Sequence, residues 1–572
     1  MDEHREVYEF DWIEYTVFVV MLCLSAFIGF YYGFIKGGQD TVSGYLFGGK
    51  QMSLFPIAMS LVSSFISGIT LLGVPAEVYV YGTQYMVGST ALIGVGIVTA
   101  YVSIPIFYKL QLLSLYEYFE LRFNTKVRLV VSFLFIFSHL CYIPVVIYTP
   151  ALAINQISGI NVHIITPFLC LICIFYTTVG GLKAVVWSDT LQGGLMIFSI
   201  IAVAWTGAWK MGGFGNVFKA AYEGGRLQAF NFDPDPTLRL SFWSASFGIW
   251  VFWASNTSFH PASIQRFISL PTMKMAKWSV LYTVLGTLFF LNLSGLIGLV
   301  IYAYYKDCDP YTTKVINRPD QILPLFVVEV AGKIRGLPGL FLSGVVCAAL
   351  STMSTGLNTM AGTVYEDFIE PYLKVKITEK KASQIMKLLV VVMGSVCVLL
   401  ILVIEKLGAI LEISVRFSGM TSGTTLGLFL LGAFFPTSNA KGAAWGALVS
   451  LVVMTWILVG SNLAMANGLI SNPVLPTSIE GCPFNVTDVV PVAQAATDAY
   501  VFPLYKVSIF YYSFIGCTVV MVVGLVVSYL TGPNKIGDVN RKLLSPLIYG
   551  LLPKEVENDY KGVPLKPVNG YD

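Results

Sequence analysis

The chain has 572 residues, of which 56% are hydrophobic and 12% charged, and its mean hydropathy is +0.73. Soluble domains carry about 25% charge, so a string of soluble domains is excluded, and so much apolar surface excludes disorder. With 35 Lys and Arg against 32 Asp and Glu, the net charge of +3 is too even for nucleic-acid binding. A polytopic membrane protein remains.

A helix needs about 20 apolar residues to cross a bilayer. Thirteen runs in the sequence meet that need, numbered I to XIII: 13–33, 52–79, 85–108, 128–155, 162–180, 184–209, 240–262, 278–305, 338–366, 384–405, 408–435, 441–462 and 505–531. A membrane strand of about 10 alternating residues is a poor description of any of them, so the expected class is all-α. Residues 1–12 are acidic, with Asp2, Glu3, Glu6, Glu9 and Asp11. A cleaved leader starts positively charged, so run I is read as retained. Placing the N-terminus outside puts Lys36, Lys50, Lys109, Arg122, Lys126, Arg128, Lys183, Arg266, Lys274, Lys277, the lysines of 374–387 and Lys441 inside. The basic residues of the tail, 532–572, join them, and most of the positive charge then lies on one side. The positive-inside rule therefore predicts an outer N-terminus and a cytoplasmic tail, which is read as disordered or peripheral.

Only two of the nine cysteines, Cys308 and Cys482, fall in outer loops. A disulfide between them is one reading; two free thiols, or pairing with another chain, are the others. Asn485-Val486-Thr487 is a glycosylation sequon in the loop that holds Cys482. The sequons at Asn256 and Asn292 lie within runs and are read as unused. Cys170 and Cys173 lack the His or Cys partners that a metal or redox motif needs.

Helix breakers and hydroxyls inside a membrane point to a pathway, because broken helices are tolerated where they line a cavity. Run II reads FPIAMSLVSSFISGITLLGVPAEVY, run VII ends FWASNTSFHPASIQRF, run IX holds LSTMSTGLNTMAG and run XI holds FSGMTSGTTLG. Runs II and VII are five apart. Five spans per half, with the first broken in each, is the pattern of an inverted-repeat secondary transporter. The repeats would occupy about 52–209 and 240–435, with runs I, XII and XIII peripheral, all within a transporter domain of 13–531. The competing explanation is that the small residues only permit close packing.

Embedded charges are functional by default. Asp189 lies in run VI, and Gln192, three residues on, shares its helix face. Oxygen ligands suit a hard cation such as Na⁺. Asp189 could instead be an interfacial acid paired with Lys183. Arg416, inside run XI, could meet an anionic solute or could snorkel to the outer surface.

GGLKAVVWSDTLQ (180–192), YEYFELRFN (116–124), SSFISGITLLGVPAEVYVYG (63–82) and LSTMSTGLNT (350–359) resemble the solute:sodium symporter family, over roughly residues 11–531. The VPAEVYVYG segment and the absence of a fourteenth run are similar to its monocarboxylate, multivitamin and iodide branch rather than its sodium–glucose branch. The resemblance implies a leucine-transporter-type fold with 13 spans, in the plasma membrane, and Na⁺ as the coupling ion. Carried over, the Na⁺ site comprises the carbonyls of Ser63 and Ile66 with Ala348, Ser351 and Thr352, and with Asp189 and Gln192 close by. A second Na⁺ would sit around Ser67 and Tyr142. The solute would lie near Thr70, a residue too small for the sugar-binding His or Gln of relatives, among Ser67, Tyr142, Tyr148, Trp253 and Asn256. Such a pocket suits a small organic anion of monocarboxylate type; a vitamin such as biotin or pantothenate, or iodide, is the alternative. Run XI departs from the family, with Arg416 and SGTTLG where relatives more often read GGPLLG. A non-transporting sensor or channel on the same scaffold is a further reading, against which the intact Asp189, Ser351 and Thr352 argue. An enzyme is not expected, because the four histidines come with no paired carboxylates or metal spacing.

Overall fold

The computed structural model describes residues 11–37, 39–332, 334–373, 377–404, 410–483 and 500–552. Its main helices are α1 (Trp12–Phe30), α2 (Leu54–Phe65), α3 (Gly68–Tyr81), α4 (Gln84–Leu110), α5 (Thr125–Ser158), α6 (Val162–Lys210) and α7 (Ile249–Ser258). They continue with α8 (Pro261–Ile268), α9 (Met273–Tyr305), α10 (Leu337–Val364), α11 (Glu379–Ile404), α12 (Ile410–Phe434), α13 (Ala440–Ala466) and α14 (Tyr512–Leu530). Each of the thirteen apolar runs contains helix among the described residues. Among the described residues, nine stretches are long and apolar enough to cross a membrane alone, and the bent pair α2–α3 makes a tenth.

Local chemistry sets the helix starts. The side chains of Asp11, Asn124, Thr272 and Asn439 accept the first free N–H groups of α1, α5, α9 and α13, as N-caps do. Helix α6 runs for 49 residues, about 74 Å at 1.5 Å per residue, which is more than twice a hydrocarbon core. It holds runs V and VI, divided at Gly181 with φ +54° and ψ −155°. A Cβ there would lie 2.8 Å from both Gln39 Oε1 and the Tyr45 ring, so the junction needs glycine for its backbone and for its space.

The core of the bundle is α10, whose residues are almost all buried, with α5, α6 and α1 packed along it. Helices α2 and α3 lie between α6 and α9, and α13 and α14 pack together outside α12. At one end of the bundle Cys308 and Cys482 are joined in a disulfide, with Cα atoms 4.8 Å apart. Backbone bonds from Asp309 to Ser478 (2.9 Å) and from Gly481 to Asp307 (2.8 Å) hold the same two loops together. At the other end Arg122 donates to the carbonyls of Gly432 and Phe435 at 2.9 and 2.8 Å, closing α12. There Arg128 also bridges Glu120 (2.6 Å) and Asp367 (2.5 Å). The first half of the tail docks against this end: Tyr118 donates to the Leu543 carbonyl at 3.0 Å, and Leu543 and Leu544 are buried.

Two helices are interrupted in mid-bundle. Between α2 and α3 the chain turns by 55°. Ile66 has ψ 91° and Ser67 ψ 170°, so neither carbonyl continues the helical ladder. Between α7 and α8 the break falls at Phe259 and His260, and Pro261 restarts the helix at a position where proline costs nothing. The chain thus stays helical to Ile268, and Arg266, expected on the inner surface, lies inside the bundle with 1% of its surface exposed.

Candidate ion and solute site

The first break faces α10. The Ser351 hydroxyl lies 2.8 Å from the Ser63 carbonyl and 3.2 Å from that of Ala348. The Thr352 hydroxyl lies 3.1 Å from the Ser64 carbonyl and 3.0 Å from that of Ala348. Each hydroxyl has one proton and two lone pairs. Two protons cannot fill all of these bonds at once, so the Ser63, Ser64 and Ala348 carbonyls and the two hydroxyl oxygens keep lone pairs available to a ligand. This all-oxygen cluster suits a hard monovalent cation. Of the residues expected here, the structure brings Ser63, Ala348, Ser351 and Thr352 together and adds Ser64. Ile66 sits in the break itself, fully buried.

Asp189 stands beside this cluster, as expected, and is paired with a residue the sequence did not suggest. Its backbone carbonyl accepts from Ser63 Oγ at 2.9 Å. Its carboxylate, fully buried, accepts from Ser60 Oγ at 2.6 Å and pairs with the Arg266 guanidinium at 3.0 Å. Arg266 also donates to Ser60 (2.8 Å), Ser64 (3.3 Å), Thr355 (2.5 Å) and the Ala262 carbonyl (3.1 Å). Asp189 is thus neutralised by Arg266 of α8 and not by Lys183, and its charge is spent on that pair rather than on a cation alone. Gln192, expected close to the ion, donates to Ser25 of α1 at 3.1 Å, and its Oε1 is buried with no hydrogen-bond partner.

A cavity of about 180 Å³ opens on the far side of Thr352. It is bounded by both breaks, α5, α10 and α12. Ser67, Thr70, Tyr142, Trp253 and Asn256 all line it, as expected. Ser67 and Tyr142, the pair expected to hold a second cation, both line this cavity. Trp253 meets Phe65 edge to face at 5.9 Å, and Asn256 donates back to the Phe252 carbonyl at 2.8 Å. Tyr148, buried in α5, is not among the lining residues. Arg416 is not either: its guanidinium donates to Asn462 Oδ1 of α13 at 2.5 Å and is buried there. A helical sequence alone does not say which neighbour an embedded arginine turns to, and here it is α13 and not the solute cavity. Among the described residues, no Asp, Glu, Lys or Arg lines the cavity.

Sequence reasoning missed two features. Arg266 was hidden because it follows a break and reads as a loop cation. The other is the meeting of His139 and His260, far apart in sequence, whose Nε2 atoms are 3.2 Å apart on the cavity wall. Asn485 lies outside the described residues.

The sodium:solute symporter family model matches residues 45–450. The chain belongs to that family. Over 549 residues it is 37% identical to sodium-coupled monocarboxylate transporter 1 of Xenopus laevis, covering 93% of this chain and 87% of that one. It is 35% identical to the sodium-dependent multivitamin transporter of Oryctolagus cuniculus, covering 95% and 86%. A solved Na⁺-coupled sialic acid symporter, in its substrate-bound outward-open state, superposes with a TM-score of 0.75 at 23% identity, covering 92% of this chain and all of that one. The fold is therefore the all-α leucine-transporter type that the two broken helices anticipated. This symporter is a transporter and not an enzyme, and its coupling ion is Na⁺.

Proposed function

We propose that this symporter imports a small monocarboxylate with Na⁺ across the plasma membrane by alternating access. The observation that carries the reading is the oxygen cluster at the first break, separated by Thr352 from a small cavity that holds no fixed charge. Because Arg266 already neutralises Asp189, a Na⁺ on the cluster brings positive charge next to the cavity, and an anion there is its natural counter-charge. The names of the relatives favour the same solute class. The 35% identity to a multivitamin transporter supports biotin or pantothenate as a second reading.

The Na⁺ ligands are the carbonyls of Ser63, Ser64 and Ala348 with the hydroxyls of Ser351 and Thr352; Ile66 borders them, and Ser67 with Tyr142 offers a second site. The solute lies against Thr70, Tyr142, Trp253 and Asn256. Na⁺ binds first from outside and fixes the break, which completes the solute site. The repeats are taken as 52–209 and 240–435. The N-terminus is outside, the tail is cytoplasmic, the Cys308–Cys482 loops are extracellular, and Asn485 is the glycosylation acceptor. With more than one Na⁺ per anion, transport is electrogenic, and the membrane potential adds about 2.3 kcal/mol per charge per 100 mV.

The test is uptake of labelled lactate, pyruvate, butyrate, nicotinate, biotin and iodide with and without Na⁺. Na⁺-dependent uptake of the short monocarboxylates is expected. Na⁺-independent uptake of every compound contradicts the reading, and Na⁺-dependent uptake of biotin or iodide alone replaces the solute class.

A further inference from the structure

We propose that the His139–His260 pair is the receptor for the solute's carboxylate and binds it together with one proton. This rests on the monocarboxylate reading above and names the group that recognises the anion.

The pair is built for one shared proton. His260 sits in the second break, and its Nδ1 accepts the Ala262 N–H at 3.2 Å, capping α8. Its Nε2 therefore carries the proton of the neutral ring. His139 lies in α5, with its Nδ1 3.1 Å from the Phe135 carbonyl, which only accepts. His139 Nδ1 is therefore protonated, and its Nε2 is a bare acceptor. The two Nε2 atoms, 3.2 Å apart, form one N–H···N bond, and every ring nitrogen is used.

A second proton cannot enter this closed pair. It would place two N–H groups head to head at 3.2 Å. The rings must then part, and each offers a donor that only an anion can accept. A carboxylate has two oxygens and accepts from two donors at once. One proton and one carboxylate between the rings thus satisfy all four groups. No bond is made or broken beyond this proton uptake: the solute arrives as an anion and leaves with its proton on the inner side.

Rings and hydroxyls make up most of the pair's surroundings in the cavity. The Phe135 ring centre lies 4.2 Å from that of His139 and 5.4 Å from that of His260. Facing titratable and charged groups are Tyr142 from α5, at 6.4 Å from His139, Tyr116 from the cavity wall, and Arg266 from α8. Asp189 of α6 is tied to Arg266, and Asp367 stands behind Tyr116, bonded to Arg128. From α10 the approach is by Gly356, and from α12 by the hydroxyls of Ser418, Thr421 and Ser422. No carboxylate among the described residues reaches the histidines to compete with the solute.

The experiment uses the full-length protein in proteoliposomes at saturating Na⁺. The half-saturating lactate concentration is measured between about pH 8 and about pH 6, a range in which a monocarboxylate stays ionised and the slope reads proton uptake on binding. One proton per anion predicts up to about a tenfold tighter value per pH unit as the medium is acidified. His260→Asn keeps a side chain able to cap α8 and removes the imidazole, and His139→Gln removes the other ring. Each is expected to flatten the dependence to under about twofold over the range. A flat wild-type profile overturns the proposal without any variant, and so does an unchanged slope in the variants. In both cases Na⁺-dependent lactate uptake still stands for the monocarboxylate reading. If the wild type shows no Na⁺-dependent uptake of any monocarboxylate, that reading falls and this proposal falls with it.

Discussion

The two breaks in the bundle are chemically opposite. At the first, Ile66 and Ser67 leave the helix with no side-chain cap, and the nearby carbonyls of Ser63 and Ser64 meet two hydroxyls of α10. At the second, His260 caps the new helix with its own ring, Pro261 needs no cap, and the other ring nitrogen is held by His139. A helix interruption is therefore not a site of fixed polarity. Uncapped, it offers oxygens to a cation; capped by histidine, it offers donors to an anion. Thr352, Ser64 and Thr355 line the space between, so the two ends of one cavity are matched to the two charges of a Na⁺–carboxylate pair.

The comparison breaks most severely if the charges behind the first break are unbalanced. Asp189→Ala leaves Arg266 buried without its counter-charge, which costs about 3–5 kcal/mol. A large fall in melting temperature in detergent is expected, and the Asp189→Ala/Arg266→Met double variant should regain most of it. If the single variant melts like the wild type, the pair carries no structural weight.

A smaller disturbance reaches the first break through packing. A Cβ on Gly193 of α6 would lie 2.2 Å from Ser63 Oγ, which itself bonds the backbone of Asp189 and Met59. Overpacking of this kind costs about 1–3 kcal/mol. Gly193→Ala should raise the half-activating Na⁺ concentration by about five- to tenfold, read from Na⁺ titrations of uptake, while leaving the pH slope for lactate in place. A change in the pH slope alone would reverse the assignment of the two breaks.

The smallest effect is expected outside both breaks. Arg416→Gln should leave the half-saturating lactate concentration of the surviving transporter within about twofold, because its guanidinium is engaged with Asn462. A rise of more than about tenfold would return Arg416 to the solute site.

What could be read in advance follows from distance along the chain. The thirteen apolar runs, the glycine and serine breaks and the embedded Asp189 are local, so the sequence exposes them. The family resemblance pointed to Ser351 and Thr352, and the structure sets both hydroxyls against the first break. The errors are all long-range. Arg266 lies 77 residues from Asp189, and its position beyond Pro261 reads as a loop unless the helix is known to restart there. His139 and His260 lie 121 residues apart, and only the placement of His260 directly before a helix-starting proline hinted at a capping ring. Arg416 could not be assigned to α13 because a 3.6-residue period fixes a face but not the helix that covers it.

The most direct test is the Na⁺ dependence of lactate uptake by Thr352→Ala beside the wild type. Removing one of the oxygens that converge at the first break should weaken Na⁺ by about tenfold, equivalent to about 1.4 kcal/mol, with uptake recovering at high Na⁺. A half-activating Na⁺ concentration identical to that of the wild type would contradict the placement of the coupling ion at that break.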